Sequence, residues 1–169
     1  MIALRPFEVG DFDLLLDLAN QAVPFAPREN ADWFAARKAF DESRAIRQHY
    51  IAYDVNDHRA VGYGCLEQQG ETVQSLRIYV VCSPEHLAGT VGELLFTQLL
   101  GDAAMIGASH LWARELMDDE PIRQFFLRHE FRETRHIEIP DHPRMVLFER
   151  QLAESSTASF EQDGSQSTQ

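Results

Sequence analysis

Between residues 72 and 115 the hydrophobic period of the chain changes twice, and that change constrains its fold more than any other feature. Thr72 to Cys82 reads as a long strand rich in β-branched residues. Leu76, Ile78 and Val80 share one face of it, and Arg77, Tyr79 and Val81 the other. Further on, Val91, Leu94, Leu95, Leu99, Ala103 and Ile106 recur at helical spacing and form one stripe, with Gly107 following as a C-cap. Ser109 to Glu115 is again a strand. Two strands joined by a crossover helix lie parallel, because the connection is long enough to return the chain to the same end of the sheet.

The flanking segments complete a mixed sheet. Ile2 to Pro6 reads as a short strand, with Asp11 as N-cap of a helix burying Phe12, Leu15, Leu16, Ala19 and Val23. Val23 to Pro27 breaks that helix, and a second is expected from about Ala31 to Glu42, burying Trp33, Ala36 and Phe40. Gln48 to Asp54 and Arg59 to Glu67 read as strands joined by the polar turn Val55 to His58, and Gly62 and Gly64 leave room for a close neighbour. Gln68 to Glu71 is the turn into the long strand. A helix from Pro121 to Glu130 turns Ile122, Phe125 and Phe126 inward. Phe131 to Ile139 and Arg144 to Gln151 are the last strands. The expected class is α/β, an α+β mixed sheet in which an antiparallel meander precedes a parallel strand–helix–strand crossover. Residues 1 to 152 make one domain. From Ala153 to Gln169 the chain is Ser, Thr, Gln and acidic residues with Phe160 alone as a large apolar side chain, so a disordered tail is expected.

Composition narrows the function classes. A formal charge of −12 disfavours nucleic acid, whose binding needs a basic surface, and suits cationic small molecules or peptides. No apolar run reaches the roughly 18 to 20 residues needed to span a bilayer, and the N-terminus has no secretory pattern, so a cytoplasmic protein without membrane contact is expected. Cys65 and Cys82 read as buried free thiols. A turn at Gln68 to Glu71 pairs Cys65 near Leu76 and Cys82 near Arg59, out of register for a bridge. The seven histidines lack metal-ligand spacing, and there is no nucleophile elbow or Gly-Lys-Ser/Thr phosphate loop.

The order of elements over residues 2 to 151 resembles the GNAT acetyltransferase superfamily. Its strongest local match is Val80-Val81-Cys82-Ser83-Pro84-Glu85-His86 running into Leu87-Ala88-Gly89-Thr90-Val91-Gly92-Glu93-Leu94-Leu95. This looks like that superfamily's strand, loop and acetyl-CoA-binding helix, whose loop carries Arg or Gln, Gly, any residue, Gly, any residue, then Gly or Ala. Leu87, Ala88, Thr90 and Gly92 stand at those positions, and Gly92 alone follows the pattern. The resemblance implies acetyl-CoA as co-substrate, held by Val80, Val81, Leu87, Ala88, Gly89, Thr90, Val91, Gly92 and Phe125. Backbone N–H groups at the helix N-terminus would meet the pyrophosphate. A second match, Asp118 to Phe131, looks like the late helix of the family. Phe126 stands where the family carries a tyrosine that protonates the leaving thiolate, and Glu130 where it carries glycine.

The implied reaction is attack of an amine on the thioester, with a backbone amide near Val81 polarising the carbonyl. The amine must lose a proton, and Glu67, Tyr79, Glu115 and Asp118 stand at strand ends near the expected cleft; spacing singles out none of them. Two readings follow. One is an active N-acetyltransferase acting on a small-molecule or peptide amine; the other is a catalytically impaired GNAT-fold module that binds CoA or regulates. A homodimer is compatible with either.

Overall fold

The computed structural model describes residues 1–11, 13–15, 17–18, 46–141 and 143–152. The helix expected at 31–42, the break at 23–27 and the tail from 153 lie outside them. Among the described residues the strands are β1 (Ile2–Pro6), β2 (Ile46–Asp54), β3 (Arg59–Gln68), β4 (Ser75–Cys82), β5 (His110–Leu116), β6 (Arg132–Ile137) and β7 (Met145–Gln151). Residues 13–15 and 17–18 are helical, with Leu15 and Leu18 buried, and the helices after β4 are α1 (Pro84–Leu87), α2 (Thr90–Ile106) and α3 (Glu120–Arg128). The sheet runs β1-β2-β3-β4-β5-β7-β6. Among the described strands only β4 and β5 are parallel, as the crossover requires.

The glycines of β3 set how closely α2 lies on the sheet. A Cβ on Gly62 would stand 2.7 Å from Val91 Cγ1, and one on Gly64 would stand 2.9 Å from Leu99 Cδ1. Val91, Leu95, Leu99 and Ala103, one i, i+4 row of α2, are buried there with Leu76, Ile78 and Val80 of β4. Leu94, expected in this stripe, is instead exposed, and Phe96 takes a buried place. Phe96 belongs to the neighbouring row, which meets α3: its ring lies 5.8 Å from Phe125, edge to face. Gly107 closes α2 at φ 87°, its N–H reaching the Ala103 and Ala104 carbonyls, as a left-handed C-cap should.

The Asp11 carboxylate accepts from Arg5 at 2.6 and 2.7 Å and from the Glu8 N–H at 2.8 Å, at the short 3-10 turn Val9–Asp11 that precedes the helical residues 13–15 and 17–18. Two local expectations change. The β3–β4 connection runs through residues 69–74, so β4 starts at Ser75 rather than Thr72 and the register moves. Cys65 faces Tyr79, and Cys82 faces Gly62. Both cysteines are buried and neither forms a disulfide, and burial pushes the Cys82 thiol up to about 12. Finally, α3 ends at Arg128, two residues early, and Glu130 adopts φ 64°, the left-handed conformation at which glycine is unstrained.

Candidate functional site

The sheet opens where β4 and β5 part. They pair at Ser75↔His110, Leu76↔Leu111 and Arg77↔Trp112, and no further. On its other side β4 stays paired with β3 as far as Cys82. β5 stays paired with β7 as far as Leu116, so it is drawn away with that strand. From Ile78 to Cys82 the edge of β4 that faces β5 is therefore outside the β4–β5 ladder.

At the end of this edge the chain turns through α1 into α2. Ser83 starts the turn: its carbonyl accepts the N–H groups of His86 at 2.9 Å and Leu87 at 2.8 Å, and its hydroxyl lies 2.7 Å from His86 Nδ1. The segment expected as an open loop thus holds a helical turn. Leu87 is a core side chain. A Cβ at Gly92 would stand 2.3 Å from the Leu87 carbonyl oxygen, so this glycine is required by the close approach of α2 to the backbone of α1. Gly89 is the N-cap of α2, without side-chain help.

The expected cofactor residues accordingly separate. Val80, Leu87, Val91 and Gly92 are packed, and Val81 is buried on the face of β4 away from α2. Ala88 and Thr90 are exposed and Gly89 is half-buried. Phe125, expected in the cofactor wall, is fully buried instead, among Phe96, Phe126 and His129. Phe126 is equally buried. It stacks on Phe148 with centroids 5.4 Å apart and meets Phe131 edge to face at 5.0 Å. The position that would carry an acid in the resembling family is a core position here.

The four candidate bases also separate. Glu67 is buried and takes Arg77 Nη1 at 3.3 Å and the Cys65 thiol at 3.7 Å. Arg77 in turn stands over the rings of Tyr79, at 5.5 Å, and Trp112, at 5.8 Å, so this group forms one packed polar layer on the face away from α2. Asp118 is solvated and pairs with Arg144 at 3.1 Å. Its neighbour Asp119 caps α3, accepting the Ile122 N–H at 3.2 Å. Glu115 differs from all of these. It lies three residues beyond the last β4–β5 pair, and strand alternation places it on the side of Leu111 and Ala113. Its Oε1 is buried without a hydrogen-bond partner. Burial pushes its carboxyl up to about 8; Arg77 and Arg114 pull it down and Asp119 adds to the rise.

A feature the sequence reading missed lies beside the start of α2. His129 stacks on Phe96 at 4.0 Å and places Nε2 3.3 Å from Glu93 Oε1, with Arg128 Nη2 3.9 Å from the same oxygen. Nothing in the spacing of Glu93 and residues 128–129 signals this, because α3 must first dock on Phe96.

The backbone geometry, a sheet split between a parallel pair with a helix starting at the split, decides the comparison with known structures. No family model and no curated protein sequence matches the chain. Solved structures do. An N-acetyltransferase from Staphylococcus aureus Mu50 superposes with TM-score 0.72 at 11% identity, covering 89% of this chain and 98% of that one. A GNAT superfamily phosphinothricin acetyltransferase from Sinorhizobium meliloti, in complex with AcCoA, gives 0.72 at 14% identity, covering 96% and 94%. The fold is the GNAT fold. The ribosomal-protein-S18-alanine N-acetyltransferase from Escherichia coli gives 0.71 at 11% identity, covering 92% and 98%, so the GNAT fold here accounts for nearly whole chains on both sides. Among the described residues no helix is long and apolar enough to cross a membrane.

Proposed function

We propose that this protein is an acetyl-CoA-dependent N-acetyltransferase acting on an amine, with a small-molecule or peptide acceptor. The observation that carries this reading is the split between β4 and β5 with α2 beginning beside it. Acetyl-CoA has an elongated, hydrogen-bonding arm and a pyrophosphate. A strand edge that has parted from its parallel neighbour suits the first, and the N–H groups of a helix N-terminus suit the second. Ala88, Gly89 and Thr90 are the accessible residues there. The solved GNAT-fold neighbours, of which the Sinorhizobium enzyme is complexed with AcCoA, support the same assignment.

In this reading the β4 edge aims backbone N–H groups at the thioester carbonyl, where they stabilise the negative charge that grows on oxygen as the amine attacks. Removing one such donor typically costs about a hundred- to a thousandfold in rate. The net charge of −12 favours cationic acceptors by raising their local concentration. Two buried cysteines that form no disulfide agree with a cytoplasmic location.

A second reading, a CoA-binding or regulatory module with impaired turnover, is favoured by the buried ring at Phe126. Titration calorimetry with acetyl-CoA, followed by a free-thiol release assay over a panel of cationic and neutral amines, tests both. Saturable binding with amine-dependent thiol release is expected. Binding without release from any amine would favour the module, and absence of binding would remove both readings.

A further inference from the structure

The core position of Phe126 leaves the departing sulfur of the proposed reaction without the donor that the resembling family carries there. We propose that Glu115 delivers the proton to the thiolate leaving group. This inference rests on the acetyltransferase reading.

The argument is one of position and of partners. The carboxyl of Glu115 is on the stretch of β5 that has left β4, on the side of the sheet where α2 begins. Directly across on β7 is Val146, which is buried and apolar. The charged groups around it are Arg77 on β4, Arg114 on its own strand and Asp119 at the start of α3. None of them forms a hydrogen bond or ion pair with Oε1. A buried carboxyl oxygen without a partner costs free energy, and sites that retain one commonly use it. The other described carboxyl groups near the split are already engaged. Glu67 holds Arg77, Asp119 caps α3 and Asp118 is in solvent with Arg144.

The proton inventory is also suitable. Burial keeps the Glu115 carboxyl protonated up to about pH 8, so it has a proton to give at neutral pH. In the step, the amine nitrogen bonds to the acetyl carbonyl carbon and the C–S bond breaks with its electron pair going to sulfur. Sulfur takes the Glu115 proton. The proton shed by the nitrogen returns through water to the Glu115 carboxylate, so the residue is restored and the products are an amide and a free thiol. Because the donor must be protonated, its contribution falls as pH rises through about 8, while deprotonation of the amine pulls the rate the other way.

The experiment uses the full chain and its Glu115→Gln and Glu115→Asp variants, with CoA as the probe. Carbonyl-13C-glutamate labelling and infrared difference spectroscopy should reveal one carboxyl titrating near pH 8 that disappears in Glu115→Gln and shifts when CoA binds. Glu115→Gln should keep CoA affinity within about threefold. With the best amine of the panel it should lose about a hundred- to ten-thousandfold in kcat, together with the alkaline limb. Glu115→Asp should recover part of both. A glutamate band that titrates in the ordinary range, or that ignores CoA, overturns the inference even if no amine in the panel reacts. Unchanged kcat and pH profile in Glu115→Gln overturn it too. Failure of the wild-type chain to bind CoA is a different result, since it overturns the acetyltransferase reading itself.

Discussion

The two flanks of β4 are made of similar residues and behave in opposite ways. Towards β3 the ladder is continuous from Leu76 to Cys82, and the glycines beneath α2 let helix and sheet lie in close contact. Towards β5 pairing stops at Arg77. A β-branched run sets β-propensity for both edges of a strand alike, so the difference comes from the neighbours. β3 is tied to β4 by a short connection and follows it, whereas β5 is held to β7 and to the aromatic cluster under α3. The lesson is that an open site can be built beside an ordinary strand, by pulling its partner away.

The same substitution on the two flanks should have unequal costs. Gly92→Ala, at the open flank, drives a Cβ into the Leu87 carbonyl, and a backbone atom in a helical turn has little room to yield. A loss of about 3 kcal/mol or more is expected, outweighing the roughly 1 kcal/mol of helix propensity that alanine brings. Gly64→Ala, at the closed flank, meets the end of the Leu99 side chain, which can shift, and should lose about 1 kcal/mol. Urea denaturation of both variants measures the contrast; equal midpoints would show that α1 backs away freely and that the open flank is the softer one.

Phe126→Tyr comes next in size. Its hydroxyl would enter a wall formed by Phe125, Phe131 and Phe148, at about 1 to 3 kcal/mol with no gain in kcat. A faster enzyme with unchanged melting temperature would place residue 126 at the open flank after all.

The smallest effect is expected at the end of α3. Glu130→Gly relieves a left-handed non-glycine residue, worth about 1 to 2 kcal/mol, and loses an exposed ion pair with Arg150 worth up to about 1 kcal/mol. Thermal denaturation should show a rise of about 1 to 3 °C. A fall would mean that the Arg150 contact outweighs the strain.

Much of this architecture is legible in the sequence because it depends on period. The inward faces of β4 and α3, the Gly107 cap and the parallel crossover all follow from patterns within single elements. Register is less legible: the β3–β4 pairing moved by three residues because residues 69–74 form a longer connection than the turn at Gln68 to Glu71 suggests. The site is least legible. Leu87 and Phe126 align with functional positions of the GNAT pattern, yet tertiary packing turns both into the core. Glu115 has an unremarkable local sequence; only the tertiary structure, in which β5 has parted from β4, gives it a buried, unpartnered oxygen.

The short β4–β5 pairing also bears on how the molecule comes apart. Strands β1 to β4 form one plate, and β5, β7 and β6 another; the hydrogen-bonded seam between them spans three residue pairs, with Arg77 over Trp112 beside it. Each plate has its own helix against it, α2 on the first and α3 near the second. Such a seam is where cooperative units meet, so a subglobal opening that separates the plates breaks few backbone bonds compared with unzipping either one. Amide exchange at Leu111 and Trp112 should then report the separation of plates, while amides within the β3–β4 ladder report global unfolding. A ligand lying along the split would touch both plates at once and bring the two exchange rates together.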